Sequence, residues 1–123
     1  MVVPPGKGVP LHVHSREDEV YYILVGQFEL QCGQRRFMAE AGAMALVPRG
    51  IPHAFRNPSD TPSRALTVFI PGGFDDFVAE LQELSPENAA DENKRAKIRR
   101  KYGIEFVRPD SAEPSAAPDR GGK

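Results

Sequence analysis

Residues 11–25 read LHVHSREDEVYYILV, a pattern of two strands joined by a polar turn. On a strand, side chains two apart point to the same face, so His12 and His14 can bind one metal ion, whereas on a helix they would diverge. Residues 15–18 suit the turn, and the apolar residues 20–25 suit the second strand. The stretch therefore predicts a β-hairpin that carries two candidate metal ligands.

Three acidic residues follow the histidine pair, namely Glu17, Asp18 and Glu19. A carboxylate beside neutral imidazoles is ordinary ligation for a transition metal, and composition alone leaves the three acids as rivals. Glu17 and Glu19 share the same parity, but the position of Glu19 at the start of the second strand favours it. The remaining histidine of the chain, His53, follows VPRGIP, in which two prolines and a glycine fix a rigid approach.

The spacing of apolar residues along the sequence changes near residue 72. Up to residue 71, short apolar runs alternate with turn signals, which is typical of a β-sandwich or barrel. In FDDFVAELQEL, residues 74–84, apolar side chains recur at helical spacing. We therefore expect a β-barrel over residues 1–71 and a C-terminal helical extension over residues 72–108.

A second helix is predicted after the first. Ser85 and Pro86 suit its cap and first position, and Gly103 suits its end. The segment IEFV that follows, residues 104–107, is predicted to be extended. Residues 109–123 have few apolar side chains, so we expect a disordered tail there.

Composition excludes several classes of protein. The chain of 123 residues has 16 lysines and arginines against 17 aspartates and glutamates, a balance that predicts no nucleic-acid partner. The basic cluster KRAKIRRK, residues 94–101, is interpreted as a solvated helix end. A single cysteine, Cys32, excludes an internal disulfide, and no apolar run approaches the ~18 residues of a membrane span. We expect a soluble, cytoplasmic protein.

The spacing of these residues resembles the two sequence motifs of the cupin superfamily. The positions that match the first motif are Gly6, His12, His14, Glu19 and Gly26, and those that match the second are Gly42, Pro48, Gly50, His53 and Asn57. The segment FIPGGFDDFVAEL, residues 69–81, is also similar to small single-domain cupins of the quercetin dioxygenase-like type. The resemblance implies an antiparallel β-barrel of jelly-roll type, also called a double-stranded β-helix, followed here by the C-terminal helices.

The resemblance also implies a metal cofactor. The ligand set that it implies for one divalent ion is His12, His14, Glu19 and His53. This choice leaves Glu17 and Asp18 as turn residues. Three histidines and a carboxylate suit iron, manganese, nickel, cobalt, copper or zinc, and the sequence does not select among them. In an enzyme of this class Glu19 is also the candidate for proton transfer.

Strand parity extends from the ligands to a predicted pocket. If Glu19 and His53 face inward, Tyr21 and Phe55 share their faces. Phe28 lies on the inward parity of its own strand, where core packing is the competing interpretation. A mostly apolar cavity with a metal at its base suits a small ligand that has a flat apolar body and an oxygen donor.

These features predict a metal-dependent oxygenase-type enzyme that acts on a small aromatic, enol or diol ligand. A non-catalytic small-molecule binder and a metal-dependent isomerase or epimerase remain the alternatives. Only eleven residues precede His12, and three of them are proline, so we expect an exposed sheet edge. A homodimer that covers this edge, or a gene product that begins earlier, would account for it.

Overall fold

The computed structural model describes residues 1–108, which form nine strands and three helices. Eight strands precede the helices in the chain, and one follows them. The strands are β1 (Val2–Val3), β2 (Gly8–His14), β3 (Asp18–Val25), β4 (Gln27–Cys32), β5 (Arg35–Glu40), β6 (Met44–Val47), β7 (His53–Arg56), β8 (Ser63–Ile70) and β9 (Ile104–Phe106). The helices are α1 (Phe74–Gln82), α2 (Pro86–Ala89) and α3 (Glu92–Lys101). The tail predicted for residues 109–123 lies outside the described residues.

The strands form two antiparallel sheets. The four-stranded sheet has the order β1-β8-β3-β6, and the five-stranded sheet has the order β5-β4-β7-β2-β9. Their inner faces enclose one apolar core, which includes Tyr21, Ile23, Phe28, Leu30, Phe55 and Ala65. The two sheets do not share a continuous hydrogen-bonded ladder, but their interleaved order is that of a jelly roll. The predicted all-β architecture with C-terminal helices is confirmed.

The two strands of the opening stretch do not form a hairpin. β2 pairs with β7 and β9, whereas β3 pairs with β6 and β8 in the other sheet. The polar turn at residues 15–17 therefore crosses from one sheet to the facing one. The hairpin prediction was wrong because a short turn fixes only the reversal of the chain, and not which strands pair.

The predicted second helix is divided in two. α2 ends at Ala89, and Asp91 then takes an extended conformation and caps α3 by accepting hydrogen bonds from the backbone N–H groups of Asn93 and Lys94. An aspartate in this position satisfies N–H groups that would otherwise lack a partner, so a new helix start is favoured over continuation. Gly103 follows α3 with a φ of 76°, which turns the chain back into β9.

β9 covers the open edge of β2. The register pairs His12 with Phe106 and His14 with Ile104, and Gly103 accepts a hydrogen bond of 2.9 Å from the backbone N–H of Ser15. The exposed edge that the sequence suggested is therefore occupied by the chain's own C-terminal strand. The expectation failed because pairing partners about ninety residues apart leave no local signal. The homodimer itself stays a prediction.

The helices pack at one end of the sandwich as a second apolar cluster. Its buried members are Phe77 of α1, Ile98 of α3 and Ile104 of β9. Among residues 1–108, no helix is both long enough and apolar enough to cross a membrane.

Candidate metal centre

Four side chains meet in the interior, between the two sheets. His12 and His14 come from β2 and His53 from β7, whereas Glu19 comes from β3 in the facing sheet. None is more than 5% exposed to solvent. One nitrogen or oxygen atom from each lies within 4.8 Å of the corresponding atom of every other. The structure thus brings together the whole ligand set that the family resemblance implied, across the sandwich rather than along one hairpin.

Backbone carbonyl groups orient two of the histidine rings. Nδ1 of His12 lies 2.8 Å from the carbonyl oxygen of Pro10, and Nδ1 of His53 lies 3.0 Å from that of Ile51. A carbonyl oxygen only accepts hydrogen bonds, so both Nδ1 atoms carry the ring proton and both Nε2 atoms keep a free lone pair. Burial, and next the neighbouring His53, lowers the pKa of His12 to about 4, so this ring is neutral at pH 7.

Glu17 orients the third ring. Nδ1 of His14 donates to Oε1 of Glu17 at 3.1 Å, and Glu17 is only 8% exposed. A carboxylate on the outer nitrogen of a ligand histidine fixes the tautomer and raises the basicity of the inner nitrogen. Sequence reasoning placed Glu17 in the turn without a role, although a carboxylate three residues after a candidate ligand was a usable signal.

Asp18 faces away from the centre. Its carboxylate accepts hydrogen bonds from the backbone N–H of Arg49 at 2.8 Å and from the Arg49 Nε at 3.1 Å. These bonds hold the pKa of Asp18 below its usual range. The three rival acids therefore have three separate partners: Glu19 faces the histidines, Glu17 binds the outer nitrogen of His14, and Asp18 binds Arg49.

The inner atoms of the four residues suit a cation. Oε1 of Glu19 lies 3.0 Å from Nε2 of His53 and 3.7 Å from Nε2 of His14. With the ring protons on Nδ1, these contacts bring lone pair against carboxylate in a buried setting, which is unfavourable unless a positive charge lies between them. Three imidazole nitrogens and one carboxylate are donors that divalent transition metals accept. The residues present therefore fit such an ion.

Two cavities border this centre. The larger one, here called the C-terminal cavity, measures about 360 Å³. It is lined by His12, His14 and Glu19 and by residues of α1, α3 and β9. The lateral cavity measures about 290 Å³ and is lined by Tyr21, His53 and neighbouring residues of β4 and β6. The centre can thus be approached from two directions.

The three residues predicted to line a substrate pocket lie in different places. Phe55 lines the C-terminal cavity, and Tyr21 lines the lateral cavity. Phe28 is 1% exposed, lines neither cavity, and packs its ring against Phe55 with 6.1 Å between the ring centroids. Its position agrees with the core interpretation.

The hydroxyl group of Tyr21 is buried and has no hydrogen-bond partner in the part of the chain that the structure describes. Burial, and next the Glu19 carboxylate, raises the pKa of Tyr21 well above its ordinary value. The group is therefore protonated at neutral pH and available as a donor at the edge of the centre.

Aromatic rings lie beside the candidate ligands and form much of the lining of the C-terminal cavity. Phe69 and Phe74 stack with centroids 3.8 Å apart and lie next to the ring of His14, and Phe106 faces His12 at 6.3 Å. Arg95 and Arg99 of α3 line the same cavity. Arg99 is only 8% exposed, so the interpretation of residues 94–101 as a solvated helix end was wrong for this residue. Helical periodicity alone does not reveal which residues of α3 line a cavity whose other walls come from strands far away in the sequence.

Comparison with known proteins agrees with this fold. The sequence profile of the cupin domain family matches residues 1–69. An oxalate-binding protein from Thermotoga maritima is 34% identical over 70 residues, which cover 57% of this chain and 58% of that protein. The chain spans between about half and six-tenths of the length of the curated relatives it matches.

Solved structures give the same picture. A structure from Thermotoga maritima described as a predicted oxalate decarboxylase matches with a TM-score of 0.55 and 34% identity, covering 57% of this chain and 61% of the other. A cupin-superfamily sugar phosphate isomerase from Silicibacter pomeroyi matches with a TM-score of 0.51 and 30% identity, covering 55% of this chain and 45% of the other.

Proposed function

The chain belongs to the cupin family, and from that premise we propose that it is a metal-dependent oxygenase-type enzyme acting on a small aromatic, enol or diol ligand. One observation carries the proposal: the four buried donors converge while each histidine's Nδ1 is already held by a partner outside the centre. A set oriented in this way and placed at the base of an apolar cavity suits chemistry on a bound ligand.

The residues of the chain have separate tasks in this proposal. His12, His14, Glu19 and His53 would hold a divalent ion, which supplies Lewis acidity and, for iron or manganese, redox chemistry. Glu17 keeps the lone pair of His14 Nε2 directed inward. Glu19 is the one carboxylate among the residues that line the C-terminal cavity, so it is the group placed to hold a proton released by a ligand hydroxyl.

The apolar walls support this assignment. Aromatic side chains make much of the lining of the C-terminal cavity apolar, and electrostatic interactions are stronger in surroundings of low polarity. In oxidative cleavage of an electron-rich diol or enediol, both atoms of dioxygen enter the substrate and the substrate itself supplies the electrons. This reaction therefore requires one metal site and no separate reductant.

The proposal is tested in two stages. Purified protein is first analysed for bound metal by inductively coupled plasma mass spectrometry. Iron- or manganese-loaded protein is then supplied with catechols, flavonols and enediols in an oxygen electrode, with His53→Ala as the control. One dioxygen consumed per substrate would support the proposal. No uptake with any substrate by fully loaded protein would exclude the dioxygenase.

A binder without turnover is the second candidate. It is favoured by the similarity to a relative named for binding oxalate, and by the lack of any acid other than Glu19 on the cavity wall within the described residues. The isomerase alternative draws on the sugar phosphate isomerase similarity but agrees less well with aromatic walls. Binding calorimetry followed by mass spectrometry of the recovered ligand separates these cases, because only a binder returns the ligand unchanged.

We also propose that a second copy of the chain covers the outer face of the four-stranded sheet. The register places Leu46 and Val68 beside Val20, and Met44 and Leu66 beside Tyr22, on this one face. Tyr22, Met44, Leu46, Leu66 and Val68 are all exposed on this face. A contiguous apolar patch of this kind on a sheet is typical of a surface that a partner chain covers.

The outer face of the five-stranded sheet differs in character. It carries polar side chains, including the exposed pair Glu29 and Arg56, whose charged atoms are 3.3 Å apart. Two-fold pairing of the four-stranded sheets of two copies would bury this exposed apolar face.

A further inference from the structure

Arg99 is a buried cation in the wall of the C-terminal cavity. It is 8% exposed, and it lines the same cavity as Arg95, His12, His14 and Glu19. Arginine is almost never buried to this extent without a partner, because removing a charge from water is costly. Its partners therefore show whether its charge is already satisfied.

One exposed acid serves both arginines. Nη2 of Arg99 contacts Oε2 of Glu92, and Nε of Arg95 lies 3.8 Å from Oε1 of the same residue. The side chain of Glu92 is 65% exposed, so water screens its charge. Among residues 1–108 no other carboxylate forms an ion pair with either arginine. The guanidinium of Arg99 also lies over the ring of Phe106, 4.4 Å from its centroid.

Charge balance then favours an anion in the cavity. A divalent ion and two guanidinium groups carry four positive charges, against three carboxylates from Glu17, Glu19 and Glu92. One positive charge is left over, and a ligand with a single negative charge neutralises it. A guanidinium presents paired N–H donors that match a carboxylate in two parallel hydrogen bonds.

The walls and size of the cavity define the rest of the ligand. The stacked rings of Phe69 and Phe74 line the same cavity and lie beside the ring of His14. A volume of about 360 Å³ is near the lower end of ligand pockets, which run from ~300 to 1,000 Å³, and it suits a single ring better than a fused system.

We propose that the C-terminal cavity binds a single-ring aromatic monocarboxylate, with the carboxylate on Arg99 and a ring oxygen directed at the metal centre. This inference rests on the proposed metal site, both for the position of the ring oxygen and for the charge balance that favours an anion. Arg95, which is half-buried at the same wall, supplies additional positive charge. The aromatic side chains hold the ring flat between the two polar ends.

The experiment compares matched ligands and matched variants. Metal-loaded full-length protein is titrated calorimetrically with a panel of hydroxybenzoates, the corresponding hydroxybenzyl alcohols and phenyl phosphate. Arg99→Met keeps an apolar stem over Phe106 and removes the charge. Arg100→Met is the control, since Arg100 is exposed and does not line this cavity. Metal content and far-ultraviolet circular dichroism are recorded for each protein.

We expect the acid to bind at least tenfold more tightly than the alcohol, since a charge-assisted pair is lost in the alcohol. Arg99→Met should reduce acid binding by about tenfold or more and leave alcohol binding and metal content unchanged, whereas Arg100→Met should behave as wild type. Equal binding of acid and alcohol by wild-type protein, or no binding of any hydroxybenzoate, overturns the inference even if Arg99→Met fails to fold.

Tighter binding of phenyl phosphate than of the acids would also overturn it in favour of a phosphate ligand. The outcomes separate this inference from the proposed function. Metal-loaded protein that consumes dioxygen but does not prefer acids contradicts the inference alone. Fully metal-loaded protein that binds acids through Arg99 but consumes no dioxygen contradicts the proposed function alone.

Discussion

Replacing Glu17 with glutamine tests the orientation of the metal centre most directly. In the structure Glu17 accepts a hydrogen bond of 3.1 Å from Nδ1 of His14, and both side chains are buried. The amide either accepts the same bond without a charge or turns its NH₂ group toward Nδ1. In the second case the ring proton moves to Nε2 and removes a metal donor.

The expected loss follows from this geometry. Charge-assisted hydrogen bonds are about twice as strong as neutral ones, and loss of such outer partners lowers metal affinity by roughly 10- to 100-fold. That range corresponds to about 1.4 to 2.7 kcal/mol of binding free energy. We expect Glu17→Gln to lower the metal affinity by nearer 10-fold and Glu17→Ala to lower it by nearer 100-fold.

The assay is competition of apo-protein with a chromophoric zinc chelator at pH 7. Asp18→Asn is the matched control, because it is the adjacent acid of the same turn and its carboxylate faces Arg49 instead of the centre. Asp18→Asn should keep wild-type affinity. Circular dichroism first establishes that Glu17→Gln is folded. If the folded variant binds zinc as tightly as the Asp18→Asn control, then Glu17 does not set the tautomer of His14 and the reasoning fails.

Three further outcomes are expected. His12→Ala should lower metal content, measured by mass spectrometry, far more than it lowers the melting temperature, and a variant that keeps full metal content would contradict the ligand assignment. Phe28→Ala should reduce the free energy of unfolding by about 3–5 kcal/mol in urea titrations, because it leaves a cavity in the core beside Phe55; unchanged stability would place the ring outside the core. Leu46→Glu should shift a dimer to monomer in multi-angle light scattering while metal content is retained, whereas a wild-type monomer would contradict the interface.

The metal donors were the part of the site most accessible from sequence. His12 and His14 lie two apart on one strand, and Glu19 and His53 lie near turn residues whose spacing resembles a known pattern. Local geometry supports only the histidine pair, whereas the family resemblance supplied Glu19 and His53, which reach His12 from β3 of the facing sheet and from β7. Glu17 was missed because its direction depends on how the turn crosses between the sheets, which spacing does not encode.

The C-terminal part of the site could not be read from sequence for a different reason. Arg99 and Phe106 reach the cavity only because β9 pairs with β2, and this pairing joins residues far apart in the chain. A window of neighbouring residues holds no information about such a contact. The break between α2 and α3 at Asp91 was missed as well. One continuous helix and two helices separated by a capping residue have the same apolar spacing, so the sequence pattern does not distinguish them.

Because β9 pairs with β2, the residues proposed to hold the metal and several of those proposed to select the ligand come from different parts of the chain. All four proposed metal ligands lie within residues 1–69, which match the cupin profile, whereas Phe74, Arg99 and Phe106, which line the C-terminal cavity, lie beyond that region. Exchange of the segment after residue 73 would thus produce chimeras with one reactive centre and altered ligand preference. The C-terminal segment would then be exchangeable, provided that the new segment keeps a strand that pairs with β2 in the register of β9.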